Sequence, residues 1–440
     1  MEPPCSLSAR FEGSFAYITT RDRLPQILTK VIDTVHRSKE KFLQEYGEVG
    51  VEAEKRALSF FSRLRNELHT NKPILPLTDN EPDTHIWNQY LLYQKTLMNE
   101  DEEPCWFSSP WLYVECYMYR RIREGFVHSP PICGFDAFNE VKNDSFFQSH
   151  SAILALCTYL QELKKGIAEL SNNQQLEEFR KLLEASLWGN KCDLSISGGQ
   201  DNSQKYSILN SLETFRPCIL VDNIGSLWTI LSRRKTLNNG GDTKTRVDIV
   251  LDNSGFELIT DFALADALLS LKLATEVHFH AKCIPWYVSD VTKQDFNWTI
   301  KQLLKTNNKC MSECGANWQK YLQNESWIYH EHLFWTLPHE FCSMAVTAPD
   351  LYSELQKSQL IIFKGDLNYR KLTGDRRWNF TVPFSKALRA FHPAPLCSVR
   401  TLKADVQVGL EPGVGEKLAA SDPDWMITGK YGVIQFSDST

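Results

Sequence analysis

Apolar side chains in the first part of the chain recur at the spacing of amphipathic helices. The apolar face of the first predicted helix consists of Leu24, Ile27, Leu28, Val31, Ile32 and Val35. Asp22 is predicted to cap this helix, and Pro25 is compatible with its first turn. Further helices are predicted at about 51–68, 84–98, 111–125, 148–170 and 174–188. The pattern therefore predicts a helical domain over residues 1–200.

From Phe215 onward, the pattern changes to short apolar runs that alternate with helical segments. Runs rich in β-branched and aromatic residues predict strands at 246–251, 276–280, 360–364 and 396–403. Such alternation is typical of βα units with a mostly parallel sheet. We therefore predict an α/β protein with a helical N-terminal domain plus an α/β/α sandwich with a mostly parallel sheet over residues 201–440. Polar, Gly- and Ser-rich stretches predict connectors at 195–207 and 235–245.

Composition narrows the class of protein without identifying it. A chain of 440 residues exceeds one typical core, which favours two domains. The net charge of −6 argues against a nucleic-acid-binding surface, and no apolar run approaches the ~18 residues of a membrane span. The first residues lack the basic and apolar regions of a signal peptide. The 12 cysteines are scattered, which favours reduced thiols and a cytoplasmic protein, with nuclear localisation as a second expectation.

Two polar residues lie where strand 246–251 ends and an amphipathic helix begins near Glu257. In open α/β sheets, ligands bind at the carboxyl ends of the strands. The oxygen donors of Asp252 and Asn253 suit a divalent cation such as Mg or Mn. The alternative is an ordinary helix cap, since Asp and Asn are both favoured at that position.

A second carboxylate, Asp290, ends the next apolar stretch at 286–290, where it is predicted to complete a metal site. The alternative for Asp290 is a cap on the helix predicted near 296–304. The histidines His278 and His280 alternate with Phe279 on one strand. We interpret them as sheet residues rather than metal ligands.

Two later strands end in basic segments. Strand 360–364 runs into Gly365, which allows close approach of the backbone to a phosphate, and then into Arg370 and Lys371 as candidate cations. The alternative is a plain turn with a solvated basic pair. The last predicted strand carries Arg400 and Lys403 near its end. Acidic oxygen ligands and basic anion-binding groups are thus predicted at one edge of one sheet.

Three of these segments resemble the motifs of a known family, the metal-dependent damage-control phosphatases. They are Asp-Asn-Ser-Gly-Phe-Glu at 252–257, Gly-Asp-Leu-Asn-Tyr-Arg-Lys-Leu at 365–372 and Arg-Thr-Leu-Lys at 400–403. The last is similar to an element of the third subfamily. The resemblance extends over nearly the whole chain, including 13–17 and 187–195. It implies a metal-dependent phosphomonoesterase in which the helical bundle forms one wall of the active-site cleft.

The resemblance also implies a substrate, a cofactor and site residues. The substrates would be sugar phosphates, notably fructose 1-phosphate and fructose 6-phosphate, and the cofactor Mn, Co or Ni. Asp252, Asn253 and Asp290 would hold the metal, and the catalytic set would be Asp252, Asp290 and Asp366. The residues expected to bind substrate are Asp252, Asn253, Asp366, Leu367, Asn368, Tyr369, Arg370 and Lys403.

Within that set, Asp366 would orient the nucleophile or bind sugar hydroxyls. Arg370 and Lys403 would pair with phosphate oxygens. Glu257 is a weaker candidate, either as an outer ligand or as a general base. Asn190 and Asp193 would reach the cleft from the domain junction, with turn capping as the alternative for both.

A second hypothesis is an S-adenosylmethionine-dependent methyltransferase that acts on protein glutamates in the DNA damage response, with the replication sliding clamp as partner. Only the reported activity of a resembling protein supports it. The end of the first α/β strand, at 221–223, carries no glycine-rich loop of the kind that a conventional S-adenosylmethionine fold places there. A catalytically silent binding module is the third reading. From the phosphatase hypothesis, we expect the partner to be a small-molecule sugar phosphate. We expect neither nucleic acid nor a membrane as a partner.

Overall fold

The computed structural model describes residues 2–196, 212–237 and 244–438, without the side chains of 190–196 and 234–237. Its centre is one seven-stranded sheet. The strands are β1 (Ile219–Asp222), β2 (Arg246–Val250), β3 (Glu276–Ala281), β4 (Trp327–Glu331), β5 (Leu360–Lys364), β6 (Leu396–Thr401) and β7 (Gly432–Ser437).

The strand order is β1-β7-β6-β5-β2-β3-β4. Strands β2 to β6 pair in parallel, β7 is antiparallel to β6, and β1 is parallel to β7. Parallel strands need long crossover connections, and those of this chain contain the helices that cover the sheet. This confirms the predicted α/β class with a mostly parallel sheet.

Fourteen helices of eight or more residues surround the sheet within the described ranges. They are α1 (Leu24–Arg37), α2 (Lys39–Tyr46), α3 (Glu48–His69), α4 (Thr84–Thr96), α5 (Trp111–Val127), α6 (Asn139–Gln148), α7 (His150–Gly166), α8 (Asn172–Ile196), α9 (Ile224–Leu237), α10 (Phe256–Ser270), α11 (Lys293–Lys305), α12 (Lys309–Gln323), α13 (Gly365–Thr373) and α14 (Val414–Ser421). Shorter helical segments are Phe15–Ile18, Thr19–Arg23, Ile132–Gly134, Ile167–Glu169, Arg216–Cys218, Leu333–Thr336, Phe341–Ser343, Met344–Thr347, Pro349–Leu355 and Phe384–Ala387.

The predicted N-terminal helices are confirmed, and α2 and α6 are additional. The predicted cap of the first helix is wrong, because Asp22 lies inside the helical segment Thr19–Arg23, which continues directly into α1. The apolar face predicted for the first helix is that of α1, of which Leu24, Leu28 and Val35 are fully buried. Helix α6 has almost no amphipathic pattern, so periodicity could not reveal it. The predicted boundary between residues 200 and 201 and most of the two predicted connectors lie outside the described residues.

Two hydrophobic cores lie on the two faces of the sheet. Along β5, Ile361 and Phe363 belong to one core, and Leu360 and Ile362 belong to the other. Each core also contains side chains from the N-terminal helices, for example Trp111 in the first. All of β5 is therefore buried on both faces, which is why its apolar run from Leu360 to Phe363 is continuous rather than alternating. No helix in the described residues is both long enough and apolar enough to span a membrane.

Three histidines of β3 and β4 form a buried stack. The rings of His278 and His280 each lie about 5 Å from the ring of His330, at 4.9 and 5.0 Å between centroids. His278 Nδ1 lies 2.8 Å from His330 Nε2, and His280 Nε2 lies 2.7 Å from Asp248 Oδ1. Burial, reinforced by the two neighbouring histidines, lowers the pKa of His330 to about 4.

We therefore expect this stack to make the protein sensitive to acid. The unfolded chain binds a proton at residue 330 below a pH of about 6.5, whereas the folded chain binds it only near pH 4. The stability from neutral His330 is thus complete above pH 6.5 and is lost as the pH falls towards 4, by about 2–3 kcal/mol. Chemical unfolding at pH 7 and pH 4.5 should show a smaller acid loss in His330→Phe than in wild type. The exposed-site control His150→Phe should retain the full loss, and equal losses in all three proteins would contradict the expectation.

Candidate active site

A cavity of about 150 Å³ lies at the carboxyl ends of the central strands. It combines five carboxylates with three cations, and both types come from segments far apart in sequence. The acidic lining residues are Glu115, Asp252, Glu257, Asp290 and Asp366, and the basic ones are Arg23, Arg370 and Lys403. The other lining residues are Trp111, Leu187, Asn253, Tyr287, Ser289, Gly365, Leu367, Val399 and Thr401.

Asp252 and Asn253 leave β2 directly into this cavity. Asn253 Nδ2 donates to Asp252 Oδ2 at 2.7 Å and to Glu257 Oε2 at 2.9 Å, and Asn253 Oδ1 accepts from Ser289 Oγ at 2.5 Å. Neither residue caps α10, whose N-cap is Gly255 at φ 73°. The alternative of an ordinary helix cap is therefore wrong.

Asp290 reaches the same place from a loop rather than from a strand end. The apolar stretch predicted at 286–290 does not form a strand, because Tyr287 and Val288 have φ values of 43° and 70°. An isolated antiparallel bridge joins Asn253 to Asp290, and this bridge brings the second carboxylate to the first. The alternative that Asp290 caps the next helix is wrong, since Thr292 caps α11 in a reciprocal capping box.

The two carboxylates are crowded. Burial raises the pKa of Asp252 well above its usual value, and the nearby charges of Glu257 and Asp290 raise it further. Burial also raises the pKa of Asp290 to about 6, against the opposing effect of Lys282. Asp290 Oδ2 accepts no hydrogen bond from the described residues, and Lys282 Nζ lies 3.3 Å away. A further cation would relieve this repulsion.

The donor set fits an oxygen-preferring cation. It consists of two carboxylates and the carbonyl oxygen of Asn253, which keeps a second lone pair beside its bond from Ser289. Within the described ranges, no group of three or more His, Cys, Asp or Glu side chains is arranged as a metal site. Any site formed by Asp252, Asn253 and Asp290 would therefore need further ligands from water or substrate.

Gly365 makes room for the Asp252 carboxylate. The glycine has φ 82°, and a Cβ atom there would lie 1.9 Å from Asp252 Oδ2 and 2.1 Å from Asp252 Cγ. No larger residue fits without displacing that carboxylate. The sequence predicted that the backbone at Gly365 closely approaches a phosphate. In the structure, the backbone at Gly365 closely approaches the Asp252 carboxylate.

The segment after β5 is the helix α13 rather than a turn. Arg370 and Lys371 are both buried, so the alternative of a solvated basic pair is wrong. Lys371 Nζ donates to the carbonyl of Leu337 and does not line the cavity. Burial lowers the pKa of Lys371 to about 8.

Arg370 lines the cavity from a restrained position. Its Nε and Nη2 donate to the two oxygens of Asp375 at 2.9 and 3.0 Å, and its Nη1 donates to Glu115 at 2.6 Å. Its guanidinium carbon lies 3.7 Å from the centre of the Trp111 ring. Three of its five N–H groups are therefore engaged, and the rest of the guanidinium supplies fixed positive charge.

Asp366 is held by the end of β6. Its Oδ1 accepts from Arg400 Nε at 2.7 Å and from the backbone N–H of Lys403 at 3.1 Å. Arg400 is fully buried and also donates to the carbonyls of Ala404 and Val406. Arg400 therefore positions Asp366 and the loop that presents Lys403.

Not all residues of the predicted substrate set face the cavity. Leu367 lines it, but Asn368 and Tyr369 do not. Asn368 Nδ2 donates to the carbonyl of Lys364 at 2.7 Å, and the Tyr369 hydroxyl accepts from the backbone of Val408 at 3.1 Å. On a helix, adjacent positions point in different directions, and these two side chains support the sheet edge instead. The side chains of Asn190 and Asp193 lie outside the described ones.

A buried lysine lies next to the acidic wall. Lys364, the last residue of β5, pairs with Asp261 at 2.8 Å and with Glu257 at 3.5 Å, and donates to the carbonyl of Ser186 at 2.6 Å. Ser186 Oγ in turn donates to Asp261 at 2.6 Å. This network restrains the Glu257 side chain. A supporting role therefore suits Glu257 better than a role that needs a freely moving carboxylate.

Arg23 is the lining cation that sequence analysis missed. It ends the segment Thr19–Arg23 and is exposed, like Lys403. Its only signal in the sequence is the charged triplet at 21–23 in front of α1, which is typical of a solvated helix start. Trp111 and Glu115 of α5 also line the cavity, so the helical bundle forms one wall of it.

The fold and the cavity define an α/β enzyme with a cleft of carboxylates and cations at the carboxyl edge of its sheet. Residues 19–418 match the damage-control phosphatase ARMT1-like domain. The chain therefore belongs to that family and is a phosphatase.

Relatives from several vertebrates match the chain from end to end. The protein named damage-control phosphatase ARMT1 of Xenopus tropicalis is 73% identical over 439 residues, which cover 100% of both chains. Those of Homo sapiens and Danio rerio are each 60% identical, over 434 and 437 residues, and cover 98% or more of both chains. The sequence similarity to these proteins thus extends over the whole chain.

Proposed function

We propose that this phosphatase hydrolyses small sugar phosphates, notably fructose 1-phosphate and fructose 6-phosphate, as a form of metabolite damage control. We further propose Mn, Co or Ni as the cofactor, with Mg as an alternative. The observation that carries the proposal is the convergence of five carboxylates and three cations on one small cavity. A polar cavity of about 150 Å³ suits a small charged metabolite better than a large apolar ligand.

In this proposal, Asp252, Asn253 and Asp290 hold the divalent cation. When bound, such a cation supplies charge stabilisation to the phosphoryl group and activates water. Gly365 keeps the Asp252 carboxylate in place, and Ser289 orients the Asn253 amide. Burial, together with the nearby carboxylates, raises the pKa of both aspartates, and a bound metal ion would replace the protons that they take up.

The phosphate is proposed to face the basic side of the cavity. Lys403 and Arg23 are exposed cations at its mouth, and Arg370 is a fixed cation in its wall. Asp366 is already oriented by Arg400, so its free oxygen can accept from an attacking water or from a sugar hydroxyl. Phosphate recognition and sugar recognition would then use different groups of the same site.

A metal-reconstitution screen tests the proposal. Protein stripped by a chelator should release no phosphate from fructose 1-phosphate or fructose 6-phosphate, and activity should return with Mn, Co or Ni. Glucose 6-phosphate and a nucleoside monophosphate provide comparison substrates. Full activity of the stripped protein would refute the metal requirement, and activity confined to the nucleotide would refute the sugar phosphate.

Replacing Lys403 should lower the activity on all phosphorylated sugars to a similar degree. We expect Lys403→Ala to lower kcat/KM by about ten- to a thousandfold, because a charged hydrogen bond to phosphate is lost. Lys430→Ala is the matched control, since Lys430 is exposed on the neighbouring loop but does not line the cavity. Steady-state kinetics on two sugar phosphates decide the role. A change in substrate preference without loss on the better substrate would assign Lys403 to the sugar.

Methyl transfer to protein glutamates, with the sliding clamp as partner, stays a prediction from resemblance. Strand β1 ends at Asp222, whose Oδ1 accepts from the backbone N–H of Ile224 at 2.9 Å, in an ordinary turn into α9. No feature of the described residues favours that activity over phosphate hydrolysis. Cytoplasmic localisation, with a nuclear pool, is likewise a proposal, based on the scattered cysteines.

A further inference from the structure

A second, larger cavity lies between α4, the start of α5 and the loops around residues 338–347 and 374–376. Its volume is about 660 Å³, within the range of small-molecule sites. It shares no lining residue with the candidate active site. Apart from Asp375, which restrains Arg370, none of its lining residues has a role in the proposed hydrolysis.

The start of α5 and one ion pair each contribute residues to both cavities. Trp111 lines the first cavity, and Tyr113, two residues further along the helix, lines the second. Arg370 lines the first cavity and Asp375 lines the second. Both oxygens of Asp375 accept from Arg370, so the charge of this carboxylate is paired with a cation outside the second cavity.

In the polar part of the second cavity, one cluster contains two guanidinium groups and a single carboxylate, while the other lining carboxylate, Asp375, is paired with Arg370. Glu340 Oε1 lies 2.6 Å from Arg376 Nη2, and Glu340 Oε2 lies 2.8 Å from Arg389 Nη1. One carboxylate thus serves two guanidinium groups. The arginine side chains are 19% and 27% exposed, which leaves both in reach of a ligand. An anion would balance the remaining positive charge.

Much of the rest of the lining is aromatic or apolar, with polar side chains such as Gln89 and Gln94 between these residues. The rings of Tyr90 and Tyr113 lie 5.1 Å apart between centroids, and the His339 ring meets Tyr90 edge-on at 4.9 Å. Burial lowers the pKa of His339 to about 4, so it adds no charge near neutral pH. Tyr93 and Leu97 remain 54% and 62% exposed at the mouth, although both are large and apolar. Flat apolar groups would cover these surfaces.

Two lining residues also have an unusual backbone. Asp375 has φ 52° and Arg389 has φ 55°, a region that residues other than glycine rarely adopt. Such conformations concentrate at ligand sites, where the surrounding structure maintains them. Tyr287, which has φ 43°, lines the candidate active site in the same way.

We propose that this cavity is a second ligand site, which binds a small organic anion with a flat, largely apolar body. An aromatic carboxylate is the simplest compound of that class. Its carboxylate pairs with Arg376 and Arg389, and its ring lies against Tyr90 and Tyr93. The site is separate from phosphate hydrolysis and does not depend on the proposed function.

Titration calorimetry on the full-length protein tests the site with two probes of similar shape, 1-naphthoate and the uncharged 1-naphthalenemethanol. We expect naphthoate to bind about tenfold more tightly than the alcohol, because only the acid forms charged hydrogen bonds. Arg389→Gln and Tyr93→Ala should each lower the affinity for naphthoate by about fivefold or more. Lys386→Gln and Leu92→Ala are matched controls, since both residues are exposed nearby but do not line the cavity.

Other outcomes would overturn the proposal. These are no binding of naphthoate at about 1 mM, equal affinity for acid and alcohol, or unchanged affinity in both cavity variants. Loss of binding in Asp252→Ala, or displacement by inorganic phosphate, would place the probe in the first cavity instead. Thermal melts of every variant show whether a loss reflects unfolding, and Tyr93→Ala guards the test because an exposed rim residue contributes little stability.

Discussion

Replacing Asp252 with alanine should reduce phosphatase turnover by about a thousandfold or more while the protein remains folded. Asp252 follows β2 and lies close to a second carboxylate, Asp290, which comes from a loop. The proposed metal cannot be held without Asp252. Its removal also relieves repulsion with Glu257 and Asp290, the charges that raise its pKa. The thermal midpoint should therefore stay the same or rise, as is common when a charged functional group is deleted.

Turnover of a sugar phosphate and the thermal midpoint should be measured on the same preparations. Glu331→Ala is the matched control, because Glu331 ends β4 at the same edge of the sheet but does not line the cavity. The control should keep wild-type turnover. An active Asp252→Ala protein would refute the site, and an unfolded one would show that the carboxylate has a structural role.

Replacing Gly365 with alanine should be nearly as damaging to turnover, for a steric reason. The new Cβ atom would lie 1.9 Å from Asp252 Oδ2, so the carboxylate has to move by an ångström or more. Misplacement of a catalytic group on that scale costs about a hundredfold in rate. The positive φ of 82° adds about 1–3 kcal/mol of backbone strain.

The control Gly413→Ala separates the effect of the contact with Asp252 from the effect of backbone strain. Gly413 also has φ 82°, but a Cβ atom there would meet nothing within 4 Å. We expect both variants to lose stability in chemical unfolding and only Gly365→Ala to lose turnover. If Gly413→Ala loses turnover to the same degree, backbone strain rather than contact with Asp252 explains the result.

Local sequence patterns predicted most of the elements because their physical causes are local. Continuous apolar runs mark strands buried on both faces, as in β5, and helical periodicity marks faces such as that of α1. The patterns failed where packing is decided by distant residues. Helix α6 shows no periodicity, and 286–290 is apolar yet contains two residues with positive φ.

Charge was the least predictable property. Arg120 and Arg121 lie near the end of the helix predicted at about 111–125, where charged side chains are usually exposed, but both arginines are buried. Arg120 pairs with Asp79 and Asp83, and Arg121 pairs with Glu124. The partners of Arg120 lie on the loop before α4, about forty residues away, and no spacing rule links them, whereas Glu124 lies one helical turn from Arg121. A charged side chain in a sequence therefore does not show whether it is solvated or paired.

The sequence by itself determined the class of fold, the family and the strand-end motifs that contain Asp252, Gly365 and Lys403. Those features depend on hydrophobic burial and on short motifs, both of which are written along the chain. Only the tertiary structure decided which side chains meet. It brought Asp290 from a loop and Arg23 from the first helices to one cavity, and it turned Asn368 and Tyr369 away. Contacts between distant segments depend on how whole elements pack, which no local pattern specifies.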